Sequence, residues 1–207
     1  MRPPPYGEDN NAENADPNTQ AMMLCTRLAG RAIIRVVGRC NEAQENNNLD
    51  LSGCQLMQVP DAVYHLMRHT ELKGCNLSSN VITKIPPKFA LKFSFIRELN
   101  VSNNQISKLP DELADLADLE KLNISNNAFI SLPNVIYKIP KLAIVDANHN
   151  HIIDVDVERL KSSPSLQEVD LQDNPLSSSA HSALQKITSL RISLSPRQIE
   201  DWEDLTI

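Results

Sequence analysis

Residues 96–118 read IRELNVSNNQISKLPDELADLAD and residues 119–141 read LEKLNISNNAFISLPNVIYKIPK, two consecutive lines of one pattern, LxxLxLxxNxLxxLP. The frame extends outward in both directions. Anchored on its Asn position, it recurs at Cys54, Asn80, Asn104, Asn127, Asn150 and Asn174, with spacings of 26, 24, 23, 23 and 24 residues. A seventh, degenerate copy reads as centred on Ser195, with Ile187, Leu190 and Ile192 before it. A regular period of this length marks a repeat architecture, in which one unit cannot bury its own apolar face and stacking closes the core.

Each part of the frame has a physical role. The LxL alternation puts two apolar residues on the inner side of a short strand and their neighbours on the opposite side. Stacked repeats then turn pairs such as Leu99/Val101, Leu122/Ile124 and Val145/Ala147 into layers of one core. The Asn that follows sits where the chain turns inward, and its amide both donates and accepts. Asn80, Asn104, Asn127, Asn150 and Asn174 are therefore expected to form a polar spine against turn backbone that has no ladder partner. Cys54 replaces Asn in the first copy with a weaker hydrogen-bonding group. Ile85-Pro86, Leu109-Pro110 and Leu132-Pro133 end the descending segment and start a short outer helix, because Pro suits a helix first turn.

The open ends of such a stack need lids. The segment 17–45 reads as an N-terminal capping helix: Leu24, Leu28, Ile33, Val36 and Cys40 recur near helical spacing, with Arg27, Arg31, Arg35 and Arg39 between them. Repeats are expected over 46–195. Residues 196–207 read as a C-terminal capping helix, with Ser195-Pro196-Arg197-Gln198 as its capping box and Ile199, Trp202 and Leu205 turned inward. Residues 1–16 hold no periodic apolar positions and are expected to be a disordered tail.

Composition agrees with this organisation and excludes several function classes. The chain has 207 residues, with 25 Leu and 20 Asn but only 5 Gly. Neither GxxxxGKS nor GxGxxG occurs, so phosphate-cradling loops of those kinds are absent. A net charge of −6 argues against nucleic acid as partner, which would call for a basic face. No run of 18 apolar residues suggests a membrane span, and the start, MRPPPYGEDNNAENADPN, is acidic where a signal peptide would be apolar. The expectation is a cytoplasmic monomer, with the nucleus also open to it. The four cysteines lack CxxC pairing and read as structural thiols.

The motif at residues 96–110 and 119–133 resembles the leucine-rich repeat superfamily, over a stretch from about residue 46 to 195. Within it, the short chain, the helical preface, the 26-residue first repeat and the segment EVDLQDNPL resemble one small intracellular member. The resemblance implies an α/β solenoid with a parallel sheet on its concave face and short helices or turns outside, without enzymatic activity. It further implies a scaffold that recognises proteins through the concave face. Cys54 for Asn and Asp156 in place of Pro depart from the pattern.

On this strand register the concave surface includes Asp50, Asn76, Glu98, Asn100, Lys121, Asn123, Asp146, Asn148, Glu168 and Asp170, beside Asn48, Gly74, Ile144, Gln172 and a row of serines from Ser52 to Ser125. Five of these are acidic and one is basic, a sum of −4. The expected partner is thus a basic or polar protein segment, with Asp146, Glu168 and Asp170 as the densest cluster. The opposing reading is that short polar residues simply keep a sheet face soluble.

Other constellations carry less. Asn76-Leu77-Ser78, Asn100-Val101-Ser102 and Asn123-Ile124-Ser125 match N-x-S but arise from the repeat itself. His149 and His151, or His65 and His69, each supply two metal ligands without a set that completes a site, so no metal or other cofactor is expected. Asp111, Glu112, Asp115, Asp118 and Glu120 read as a solvated outer patch. The leading function is a non-catalytic interaction module. The alternatives are a targeting subunit for a phosphatase or small-GTPase pathway, and a purely structural spacer.

Overall fold

The computed structural model describes residues 17–196, with side chains from residue 30 onward. Helix α1 spans Pro17–Asn46 and leads into seven three-residue strands: β1 Asn48–Asp50, β2 Gly74–Asn76, β3 Glu98–Asn100, β4 Lys121–Asn123, β5 Ile144–Asp146, β6 Glu168–Asp170 and β7 Arg191–Ser193. All are parallel and follow chain order in one sheet. Their central residues, Leu49, Cys75, Leu99, Leu122, Val145, Val169 and Ile192, lie in one register. The first six are buried, as are Leu51, Leu77, Val101, Ile124, Ala147 and Leu171 two residues on. Full burial of one Leu or Ile contributes about 1.5–3 kcal/mol over leaving it exposed, and the layers form one continuous core from Val36 to Leu190.

The chain leaves each of the first six strands through a left-handed residue. Gly53, Ser79, Asn103, Asn126, His149 and Asp173 all have φ between 50° and 61°, and each immediately precedes the Asn position of its repeat. That conformation is costly for most side chains and tolerated best by Gly, Asn and Asp, which fill four of the six places. It aims the next side chain inward.

Each inward Asn ties two repeats together. Asn127 Nδ2 donates to the Val101, Ile124 and Ser125 carbonyls at 3.0–3.1 Å, and its Oδ1 accepts from the Ile106 N–H at 2.9 Å. Asn80, Asn104, Asn150 and Asn174 repeat the arrangement, each with one carbonyl and one N–H from the preceding repeat. Cys54 has a single weak contact, Sγ to the Ser52 carbonyl at 3.5 Å.

The outer segments follow their first residues. Extended Pro110 and Pro133 precede short 3-10 helices at Asp111–Asp115 and Asn134–Lys138, and extended Pro60 precedes α2, Asp61–Leu66. Helix α3 is Lys88–Lys92. Where Pro is replaced by Asp156, its carboxylate caps α4, Val157–Ser162, by accepting from the Arg159 N–H at 3.1 Å. Ser177 caps α5, Ser178–Gln185, through the Ala180 N–H.

Two readings need correction. Ile33 does not face the core: it is 64% exposed, while Val36, Cys40 and Ala43 make the inward face of α1. Helix α1 is 30 residues long and covers a strand of three, so its N-terminal part extends past the layer it seals. Nor is the seventh copy centred on Ser195. Ser193 pairs with Asp170, so Ser195 matches Gln172, and its hydroxyl accepts from the Asp173 N–H and donates to the Asp173 carboxylate. The tail 1–16 and the proposed helix from Arg197 onward, with Trp202, lie outside the described residues.

Candidate protein-binding surface

Three rows of outward residues cross the sheet. The row at the first strand position runs Asn48, Gly74, Glu98, Lys121, Ile144, Glu168, Arg191. The row at the third runs Asp50, Asn76, Asn100, Asn123, Asp146, Asp170, Ser193. Together they line an open hollow reaching from Asn48 to Asp146. Gly74 forms a notch in its floor that the Asn48 side chain covers: a Cβ on Gly74 would stand 2.5 Å from Asn48 Oδ1.

The third row is already engaged by backbone. Asp50, Asn76, Asn100, Asn123, Asp146 and Asp170 each accept from the N–H two residues on, at 2.9–3.2 Å, closing the same Asx turn six times. Those bonds hold the strand exits and leave the second oxygen or the amide NH2 for other partners. Asn123 spends its amide on Asp146 at 3.0 Å, and Asn148 spends its own on Asp170 at 3.3 Å. Sequence reasoning missed this role, although the signal was present as Asp or Asn followed two residues later by Ser, Asn or Gln in every copy. Ser102 and Ser125, in the row after that, are buried and contribute little surface.

The charges are more nearly matched than the row count implied. Glu98 meets Lys121 at 2.7 Å, Glu168 meets Arg191 at 3.7 Å, and Asp50 meets Arg39 of α1 at 2.9 Å. With Arg39 and Arg191 counted, five carboxylates face three cations, a sum of −2 in place of −4. Burial acts to raise Asp50, but hydrogen bonds from Ser52 and the Arg39 guanidinium outweigh it and hold its carboxyl below the usual range. Asp146 differs. Half-burial lifts its carboxyl above the usual range, and the neighbouring Asp170 adds to the lift against the hydrogen bonds it accepts. Among the described residues, the pair Asp146 and Asp170 therefore holds the negative charge left unmatched on the face.

The remaining candidates take other parts. His149 Nε2 lies 3.3 Å from Asp173, and His69 Nε2 accepts from Arg68 Nε at 2.9 Å. Among the described residues no three His, Cys, Asp or Glu cluster as metal ligands would. Cys40, Cys54 and Cys75 are buried free thiols. The outer acids Asp111 and Asp118 pair with Lys138 and Lys141 of the next repeat at 3.2 and 2.7 Å. No helix among the described residues is long and apolar enough to cross a membrane.

The repeat frame and the fold have known counterparts. The chain is 36% identical over 155 residues to leucine-rich repeat-containing protein 20 of Mus musculus, covering 73% of this chain and 84% of the relative. The chain belongs to the leucine-rich repeat family. The family pattern described as "Leucine rich repeat" matches residues 70–129 directly. The human leucine-rich repeat-containing protein 20 is 32% identical over 95 residues, 44% of this chain and 52% of that protein. Among solved structures, a leucine-rich repeat protein of Leptospira interrogans matches with a TM-score of 0.59 at 28% identity, over 67% of this chain and 34% of that one. An internalin of Listeria monocytogenes shares the fold, with a TM-score of 0.54 at 24% identity, over 71% of this chain and 41% of its own length. Leucine-rich repeat proteins generally act as protein–protein interaction modules.

Proposed function

We propose that this protein is a non-catalytic, cytoplasmic interaction module whose concave sheet face binds a basic or polar segment of another protein. The observation that carries the reading is the pair Asp146 and Asp170. Glu98, Glu168 and Asp50 each have a cation within 4 Å, whereas among the described residues these two carboxylates have only amide donors. The exposed Ile144 stands beside them in the adjacent row, an apolar rest for the aliphatic stem of a Lys or Arg. A partly buried carboxylate pair discriminates between partners and speeds encounter with a cationic one.

Charge removal without loss of the Asx turns tests the reading. Asp146→Asn and Asp170→Asn each keep an oxygen for the N–H two residues on. The doubly substituted chain should bind an Arg- and Lys-rich peptide about tenfold more weakly than the original, with much of the salt dependence gone. An unchanged affinity, with the fold intact by circular dichroism, overturns the concave-face assignment.

A further inference from the structure

Three of the exposed large apolar side chains stand together on α1. Ile33, Ile34 and Val37 are 64%, 73% and 37% exposed, in a helix whose other face is sealed against the first repeat by Val36, Cys40 and Ala43. Arg35 and Arg39 fix this helix to the strand exit by donating to the Gly53 and Asp50 carbonyls. The exposed residues are therefore held on a rigid support rather than on a loose end.

Helical spacing sorts the outward face into parallel rows. Ile33 and Val37 form one, Gly30, Ile34 and Gly38 a second, and Arg31, Arg35 and Arg39 a third. The middle row alternates a glycine, a large side chain and a glycine. Neither glycine has any atom within 4 Å of where a Cβ would stand, so both flanks of Ile34 are open. Two glycines weaken an exposed helix, and what they offer in return is close approach by another backbone. Row spacing of this kind fits a second helix packed ridge into groove.

Charge selects the occupant. From Pro17 to Asn41 the helix carries four Arg and no Asp or Glu, in a chain whose net charge is −6. A second copy of α1 would bring like charge against like charge. An anionic bilayer would meet the acidic excess of the remaining chain. We propose that the Ile33, Ile34 and Val37 face of α1 is a docking surface for an amphipathic helix of a partner protein, one with a row of carboxylates beside its apolar row, which would lie against Arg31. This surface is separate from the concave face and does not depend on what binds there.

The test uses the full chain and three probes: a designed amphipathic peptide of about 18 residues with a Leu row flanked by Glu, the same peptide with Lys for Glu, and phosphatidylcholine vesicles with and without phosphatidylserine. The Glu peptide should bind about tenfold more tightly than the Lys peptide. Ile34→Glu should lower that affinity about tenfold while the melting temperature holds, because the side chain is exposed in the folded chain. Gly38→Leu should weaken binding while favouring the helix itself. Asp146→Asn with Asp170→Asn should leave Glu-peptide affinity unchanged. The proposal is overturned by equal binding of the two peptides, by indifference to Ile34→Glu, by binding to phosphatidylserine vesicles alone, or by a dimer in sedimentation that Ile34→Glu dissolves.

Discussion

The Asn123 side-chain amide donates across the strand boundary to the Asp146 carboxylate at 3.0 Å, while half-burial and the nearby Asp170 charge lift that carboxyl above its ordinary range. A hydrogen bond from β4, with one from the Asn148 N–H, thus holds a carboxylate that its own surroundings disfavour. This balance has a consequence for stability that can be measured.

A carboxyl raised in the folded state binds more protons when folded than when unfolded, between its ordinary value and its folded value. Stability from that group therefore falls as pH rises through this window and is recovered on acidification. Asp146→Asn removes the titration. On lowering pH from 7 toward the ordinary carboxylate range, the original chain should gain stability relative to Asp146→Asn, although both lose ground overall as carboxyls held low by partners, such as Asp50, protonate. Denaturant melts of the two chains at matched pH values measure the difference. A gap independent of pH would show that Asp146 titrates normally.

The spine should show the largest single losses. In Asn127→Ala the Ile106 N–H loses its buried acceptor, while the Val101, Ile124 and Ser125 carbonyls each lose one donor and keep another, from Asn104 Nδ2, Asn150 Nδ2 and the Asn103 N–H. One buried group left unsatisfied costs about 1–3 kcal/mol, so the substitution should remove roughly that much. Asparagine at position 54 should not stabilise the first repeat in the way its sequence frame suggests. The N–H groups that an Asn oxygen would need come from the preceding repeat, and here that place is taken by α1, whose amides are spent within the helix. Cys54→Asn should therefore lower the unfolding free energy by about 1 kcal/mol, whereas Cys54→Ser should stay near neutral.

The period of 23 to 26 residues made the parallel sheet and the register of its first six strands legible, because alternation within LxL decides which residues point inward. The departures arose where a residue's neighbours come from outside the repeat. Ile33 looked buried because its spacing is helical, yet burial depends on how far the covered layer extends along α1. Ser195 was misaligned because apolar spacing alone locates the last copy loosely, and it is the Ser193 to Asp170 backbone pairing that sets it. The charge sum of the sheet face shifted because Arg39 belongs to the lid and Arg191 to the ragged last strand. Placement of Asp146 and Asp170 on that face followed from the alternation. Their lack of a cationic partner is visible only in three dimensions.

Asp156 stands where the four preceding repeats carry Pro, and the exchange alters how the outer helix begins. The two repeats before it have extended Pro110 and Pro133 ahead of 3-10 helices without a side-chain cap, whereas Asp156 caps an α-helix through the Arg159 N–H and also lies 3.4 Å from the Arg159 guanidinium. Asp156→Ala should cost about 1 kcal/mol, the usual worth of an N-cap. Asp156→Asn, which retains an acceptor, should recover most of it. Thermal melts of the two variants distinguish capping from the ion pair: a loss shared equally by Asn would assign the stabilisation to charge.

Tyr64 offers a test in the opposite direction. Its ring is buried, stacks on Phe93 with centroids 5.4 Å apart, and carries the Lys88 ammonium 4.7 Å from its centre. Its hydroxyl is buried with no hydrogen-bond partner among the described residues, and burial pushes its pKa well above the ordinary phenol range. The ring contacts are available to Phe as well, and only the desolvated hydroxyl is lost in Tyr64→Phe. That substitution should raise stability by about 1 kcal/mol, the lower end of the cost of an unsatisfied buried polar group. Tyr64→Leu should lower it, since the stack on Phe93 and the contact with Lys88 go together with the hydroxyl. Destabilisation by Phe as well as by Leu would mean that the hydroxyl is hydrogen-bonded in solution.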